Sequence, residues 1–427
     1  MYVCMYVCRR SVDRRESSVV FWDLTTQEAH VKHITNLKFL AAAGDYCAVV
    51  YAEKVDATVS GSGSGSGSAA AVSAKADSKD GSNVTPTVNP VGNMKEVHVV
   101  QLRNAIGAVI DTKRINFAPK FVCMGSFYFA AANDRVIYTW QFQSQVVKSG
   151  FASSASVMSS DEPVVGGNES AGLTGKSRER MFDIESIHVA TAQPPETFKI
   201  YSEAIADPVT CITVSDKFLV VGRKDGSITR FSLPHLAQES KYTVTCEPYR
   251  MELNCASTKL ALIDVNGVLS VLDLEARIVD GEADGKTAIG AHFGKKLAIE
   301  KRDVWDCKWA EDNSEMLCFM EKTKMSILIG ETIDEPVVSS GYLGRFKDLE
   351  VRVVTLDELL LHPEQPNRDC VIDFETQTLR DARDTIQAKG LASGYASVDK
   401  ASHPRLWKLL AHVSTLIVTR SATTVPS

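Results

Sequence analysis

The densest group of residues that could do chemistry in this sequence combines carboxylates and indole rings in one short stretch. It consists of Asp303, Trp305, Asp306 and Trp309. Two carboxylates beside indole rings are what a general acid/base pair or a cation-binding aromatic cage would use. The same spacing also fits the first strand of a repeated β-unit whose tryptophans pack against the neighbouring units. We favour this second, structural interpretation.

Histidines and cysteines lack the spacing of a metal site or of a nucleophile with its base. No Glu-x-x-His spacing joins His292, His362, His403 and His412. The ten cysteines contain no Cys-x-x-Cys pair and mostly lie in apolar runs, which favours small buried side chains in a reducing compartment. No Gly-x-Ser-x-Gly nucleophile elbow occurs. We therefore predict no catalytic residue, no metal site and no bound cofactor.

A glycine-serine segment and a set of basic residues resemble a phosphate-binding loop and a basic patch, but both lack the required pattern. The glycine-serine alternation from Gly61 to Ser68 lacks the closing Gly-Lys-Ser/Thr of a P-loop, and Ser66 stands where a dinucleotide fingerprint needs glycine. Basic residues that could form a patch are spread over loops and strands, which is typical of a solvated face. These residues are Arg178, Arg180, Arg223, Lys224 and Arg230.

Charge and composition exclude several classes of protein. Lys and Arg total 47 against 53 for Asp and Glu, and the net charge of −6 argues against nucleic-acid binding. A hydrophobic fraction of 44% is that of a globular chain. The apolar run from Leu409 to Val418 is too short for a membrane span, and the first residues do not form a secretory signal. We expect a soluble, intracellular protein.

The elements that must position these residues repeat along the chain. An alternation of strands and tight turns runs from Cys211 to Leu233 and returns from Met251 to Leu274. The distance between the two final leucines is the roughly 40-residue period of a β-propeller blade. Further copies of the unit occupy 37–102, 120–140 and 304–329.

These repeats predict an all-β fold, a six- to seven-bladed WD40-type β-propeller with a short C-terminal helical extension that starts a TPR-like solenoid. The Trp22-Asp23 dipeptide is typical of WD repeats, and Thr376 can cap the first helix. Inserts rich in glycine and serine lack apolar periodicity and should be flexible. The predicted segments are an irregular N-terminus (1–16), the propeller (17–375) with inserts at 56–93 and 150–180, helices (376–413) and a disordered tail (414–427).

Several strings resemble one protein family. Those beginning at Asp207 and Lys301 are similar to the second propeller of WD-repeat subunits of intraflagellar transport complex A. His403-Pro-Arg-Leu-Trp407 resembles that family's junction between propeller and solenoid. The resemblance covers roughly 19–411 outside the two inserts. Family members are tandem propellers followed by a TPR-like solenoid, so we expect this chain to be part of a longer protein.

The resemblance implies a non-catalytic protein–protein interaction scaffold for retrograde ciliary transport, cilium assembly and entry of membrane-protein cargo. Its expected partners are other complex A subunits and ciliary cargo adaptors, with indirect membrane association, no nucleic acid and no small-molecule substrate. The expected location is the cilium or flagellum and basal body, with a cytoplasmic pool. The alternative is a propeller–solenoid scaffold of a vesicle coat or related membrane-trafficking complex. A propeller enzyme would need polar residues recurring on several inner strands, which we do not find.

Overall fold

A computed structural model describes residues 2–7, 16–23, 26, 28–56, 94–143, 178–186, 205–278, 292–355 and 370–381. The described residues form seven antiparallel sheets, and each sheet comes from its own stretch of the chain. Successive sheets are the blades of a β-propeller. The predicted all-β, six- to seven-bladed fold is therefore confirmed, with seven blades.

Each blade is a meander in which strands that follow one another along the chain pair antiparallel, except that the last strand of blade 6 pairs with the third strand of that blade. Blade 1 contains β1 (Tyr2–Val7), β2 (Glu16–Asp23) and β3 (Ala29–Thr35). Blade 2 contains β4 (Leu37–Ala43), β5 (Tyr46–Asp56), β6 (Met94–Asn104) and β7 (Val109–Ile115). Blade 3 contains β8 (Phe121–Met124), β9 (Tyr128–Ala132), β10 (Val136–Gln141) and β11 (Arg178–Asp183). Blades 4 and 5 contain β12 (Val209–Val214), β13 (Phe218–Arg223), β14 (Ser227–Ser232), β15 (Gln238–Thr243); and β16 (Pro248–Leu253), β17 (Lys259–Asp264), β18 (Leu269–Ile278), β19 (His292–Lys301). Blades 6 and 7 contain β20 (Val304–Trp309), β21 (Met316–Glu321), β22 (Lys324–Ile329), β23 (Thr332–Ile333), β24 (Val337–Val338); and β25 (Tyr342–Lys347), β26 (Glu350–Val354), β27 (Val371–Glu375).

Blade 4 shows why these residues form strands at these places. Its second strand, β13, has an apolar centre in which Leu219, Val220 and Val221 are fully buried, because a blade lies on each face. In the outer strand β15, burial alternates with exposure along the strand. Gly226 closes the turn between β13 and β14 with a φ of +86°, and a Cβ there would lie 2.2 Å from the Val244 carbonyl oxygen. Only glycine suits that turn.

Among the described residues, seven clusters of buried apolar side chains join the blades in a closed ring. Each cluster combines residues of two neighbouring blades, as Phe21 and Val49 do between blades 1 and 2. The last blade meets the first through Trp22, Val20 and Cys370. None of the sheets formed by the described residues combines strands from the two ends of the chain. Side-chain packing therefore closes the ring.

Two predicted boundaries differ from the structure. Residues 1–16 were expected to be irregular, yet Tyr2–Val7 is β1 and pairs with β2 along its whole length. Its valines and tyrosines favour strands once β2 offers an open edge. The second insert was placed at 150–180, but β11 begins at Arg178, because Met181 is fully buried against blade 2.

A helix begins where the sequence predicts it. Residues 377–381 form α1, and the Leu379 amide donates to the Thr376 Oγ1 at 3.4 Å, as expected of an N-cap. Leu379 is buried in the cluster between blades 6 and 7. The remainder of the predicted helices, the tail and most of both inserts lie outside the described residues. In the part that the structure describes, no helix is long and apolar enough to cross a membrane.

Candidate protein-binding site

The aromatic and acidic stretch singled out in the sequence forms β20, the first strand of blade 6. Trp309 packs between blades 5 and 6, and its Nε1 donates to the Glu252 carbonyl oxygen at 3.0 Å. Trp305 packs on the cluster between blades 6 and 7, with its ring centroid 5.1 Å from that of Tyr342. The two indoles therefore contact opposite neighbours of blade 6. Both indoles pack between blades, as the structural interpretation of this stretch predicted.

The two acids of the stretch have separate partners. Asp306 is 2% exposed, pairs with the Arg250 guanidinium at 2.7 Å and accepts the Leu343 amide at 3.0 Å. Burial raises the pKa of Asp306, against the opposing effect of Arg250. Asp303 lies at an exposed turn and pairs with Lys322 at 3.0 Å. Asp306 thus links the first strands of blades 5, 6 and 7. Asp303 and Asp306 point to different partners and do not act together as an acid/base pair.

A second polar link joins the same inner strands. Glu252 on β16 pairs with Lys308 on β20 at 3.5 Å and accepts the Trp309 amide at 3.4 Å. The nearby Glu252 charge raises the pKa of Lys308. Charged residues therefore lie on the inner strands of blades 5 and 6, although the sequence shows no such recurrence over several blades. Alternating charges in Arg-x-Glu and Asp-x-Lys were the signal that could have revealed them.

The basic residues that the sequence suggested for a patch lie in two blades, and two of them have separate partners. Arg223 pairs with Asp207 at 3.0 Å, while the Arg230 guanidinium lies 4.4 Å from the Phe218 ring centroid and 3.3 Å from Glu239. Arg178 and Arg180 belong to β11 of another blade, and Lys224 lies in the turn after β13. Arg223 and Arg230 therefore each pair with a different acid, Asp207 and Glu239 respectively.

The candidate histidines and cysteines contribute no ligand cluster to the part of the chain that is described. His292 begins β19, whereas His362, His403 and His412 lie outside that part. No group of three or more His, Cys, Asp or Glu that could hold a metal occurs among the described residues. Several cysteines are buried, and burial raises the pKa of Cys211 to about 12. Its thiol is therefore protonated at neutral pH.

Exposed apolar side chains gather at one end of blades 5 to 7, where the first strand of each blade begins. We call this surface the aromatic face; it consists of Tyr249, Val265, Trp305, Val338 and Tyr342. All except Trp305 are at least half exposed, from 50% at Tyr342 to 78% at Val338. Tyr249 and Trp305 are each the extra residue of a β-bulge in their strand, a device that redirects a side chain.

Comparison with known proteins places the chain among WD-repeat propellers. A family model described as the WDR35 second beta-propeller matches residues 3–375. WD repeat-containing protein 35 of Homo sapiens is 34% identical over 402 residues, and that of Mus musculus is 33% identical. Each alignment covers 94% of this chain and 30% of the relative, so the chain spans about 30% of the length of these relatives. A solved β-propeller domain of Myceliophteria thermophila Cps50 (Swd1) is 9% identical with a TM-score of 0.42, covering 84% of this chain and 97% of that one.

Proposed function

This chain belongs to the WD repeat-containing protein 35 family as its second β-propeller, and on that basis we propose that it is a scaffold domain of intraflagellar transport complex A. One observation carries the proposal. The matched residues begin inside β1 and end at Glu375, the last residue of β27. The family likeness therefore extends over all seven blades rather than over one common repeat.

The geometry supports a binding role without catalysis. On the inner strands of blades 5 and 6, the charged groups Arg250, Glu252, Asp306 and Lys308 pair with one another across the blades. Such pairs hold neighbouring blades in register instead of meeting a substrate. A ring closed by packing presents a rigid surface on which partners can dock.

The proposed partners are the other subunits of the complex and ciliary cargo adaptors. The proposed processes are retrograde transport, cilium assembly and entry of membrane-protein cargo, with only indirect membrane association. Neither nucleic acid nor a small-molecule substrate takes part. The protein would lie in the cilium or flagellum and at the basal body, with a cytoplasmic pool. These roles are proposed from relatives of which the chain spans about 30% of the length.

Localisation in the source cells tests this proposal. A fluorescent tag inserted at the native locus is expected to give a basal-body and ciliary signal that overlaps the axoneme. The matched control carries Asp306→Ala in the same tagged protein, because loss of the inter-blade link should weaken the ring and reduce the signal. An even cytoplasmic signal from the unmodified protein, with nothing at the basal body, would refute the proposal.

A further inference from the structure

We propose that the aromatic face binds an acidic peptide segment of a partner protein, anchored by an aromatic or aliphatic side chain. Exposed apolar residues that lie singly need no explanation, but a contiguous group rimmed by charges marks an interaction site. Peptide binding and membership of the transport complex can fail independently, because the first depends only on this surface of the isolated chain.

Backbone contacts join the aromatic face across blades 5 and 6. The Val265 amide donates to the Glu247 carbonyl at 3.2 Å, two residues before Tyr249. The next turn reaches blade 6, where the Val304 amide donates to the Gly267 carbonyl at 2.9 Å. Residues of blades 5 and 6 therefore share one surface at the end where their first strands begin, and the ring contact between Trp305 and Tyr342 extends it to blade 7.

Trp305 lies at the centre of this surface. Its Nε1 donates to the Lys322 carbonyl at 3.0 Å, and its ring meets that of Tyr342 edge to face, with an interplanar angle of 77°. Val338 is the register partner of Lys324 across β22 and β24. A partly buried tryptophan fixed by a hydrogen bond and a second ring has little rotamer freedom to lose. Such rigid aromatic groups are typical centres of binding interfaces.

Exposed cations rim the face although the whole chain carries −6, and the acids Asp303 and Glu321 lie among them. Arg302, Lys322 and Lys324 are exposed around Trp305. Asp303 pairs with Lys322, whereas Arg302 and Lys324 have no ion pair among the residues that the structure describes. A partner segment that brings Asp or Glu beside its apolar anchor would satisfy these cations and would be attracted electrostatically.

Peptide selection on the full chain tests the inference. The probe is a phage-displayed library of random dodecapeptides, selected on the biotinylated 427-residue protein. We expect enriched peptides to carry Trp, Phe or Leu beside Asp or Glu. Synthetic peptides with the selected sequences are titrated in fluorescence anisotropy. They should bind the Trp305→Ala and Lys322→Glu variants at least roughly tenfold more weakly than the unmodified chain, as expected when a central aromatic anchor or a neighbouring cation is lost.

Two further variants make the result specific. Tyr249→Ala changes a residue that is 65% exposed, so it tests the surface even if Trp305→Ala loosens blade 6. Lys217→Glu reverses an exposed lysine in the turn between β12 and β13, at the opposite end of the blades, and should leave peptide affinity unchanged. Circular dichroism of each variant verifies folding.

Several outcomes would overturn the inference. They are no enrichment, enrichment of basic or uncharged peptides, and acidic peptides whose affinity is the same for Tyr249→Ala and Lys322→Glu as for the unmodified chain. Exposed cations around aromatic rings also suit an anionic bilayer. Co-sedimentation with vesicles of phosphatidylcholine and phosphatidylserine, lost in Lys322→Glu while no peptide is selected, would assign the face to a membrane instead.

Discussion

Replacing Trp140 with alanine is expected to lower the free energy of unfolding by about 3–5 kcal/mol, the usual cost of removing a buried aromatic side chain. Trp140 lies in β10 and is fully buried in the cluster between blades 2 and 3. Its ring meets Phe142 edge to face at 6.1 Å, and Lys113 Nζ lies 5.6 Å from its centroid. The neighbouring blades hold this interface open, so the cavity cannot collapse.

Urea denaturation followed by tryptophan fluorescence and circular dichroism measures the loss. The matched control is Tyr249→Ala, which also deletes an aromatic ring but one that is 65% exposed. A change within about 0.5 kcal/mol is expected there, as for most surface substitutions. Equal effects of the two variants would show that the cluster between blades 2 and 3 does not hold the ring together.

Replacing Asp306 with alanine is expected to cost about 3 kcal/mol. The change removes the acceptor of the buried Leu343 amide and the carboxylate that pairs with Arg250. A buried amide without a partner costs about 1–3 kcal/mol, and a broken buried ion pair adds to this. The Arg250 side chain is 42% exposed, so water compensates for part of the loss.

Asp306→Asn is the informative companion, because asparagine keeps an oxygen for the Leu343 amide. A loss of about 1 kcal/mol or less is expected for it. An Asn variant as unstable as the Ala variant would mean that the charge of Asp306, and not its hydrogen bond, holds the three blades together. Thermal melting of both variants beside the unmodified chain makes the comparison.

The pH dependence of these variants follows from the burial of Asp306. Burial raises the pKa of this carboxyl in the folded chain above its unfolded value, so the folded state holds the proton more tightly. Its contribution to stability is therefore greatest below the unfolded pKa and is lost as the pH rises through the folded pKa. The stability difference between the Asn variant and the unmodified chain should therefore be smaller at neutral pH than at acid pH.

Much of the fold could be predicted because propeller strands leave local signals. Buried second strands such as Phe218–Arg223 are continuous apolar runs, and turns such as Lys224–Gly226 carry glycine where φ is positive. The strand β1 was missed because nothing in Tyr2–Val7 indicates a partner. It forms only because β2 offers an open edge, which is a property of the assembled blade.

The candidate site was less predictable because it depends on contacts between distant residues. Asp306 meets Arg250 and Leu343 only when three blades stand side by side. The exposure of Tyr249 and the position of Trp305 depend on bulges, and a bulge is set by pairing register rather than by residue type. The sequence singles out Trp305 as part of a possible aromatic cage, but in the structure Trp305 and Trp309 pack against different blades.

The measurement that tests the central claim most directly is affinity purification of the full-length protein, tagged at its native locus, followed by quantitative mass spectrometry. If this propeller is a scaffold of intraflagellar transport complex A, the other subunits of that complex will co-elute in near-equal amounts. Vesicle-coat subunits in their place, or no stoichiometric partner from ciliated cells, would contradict the account.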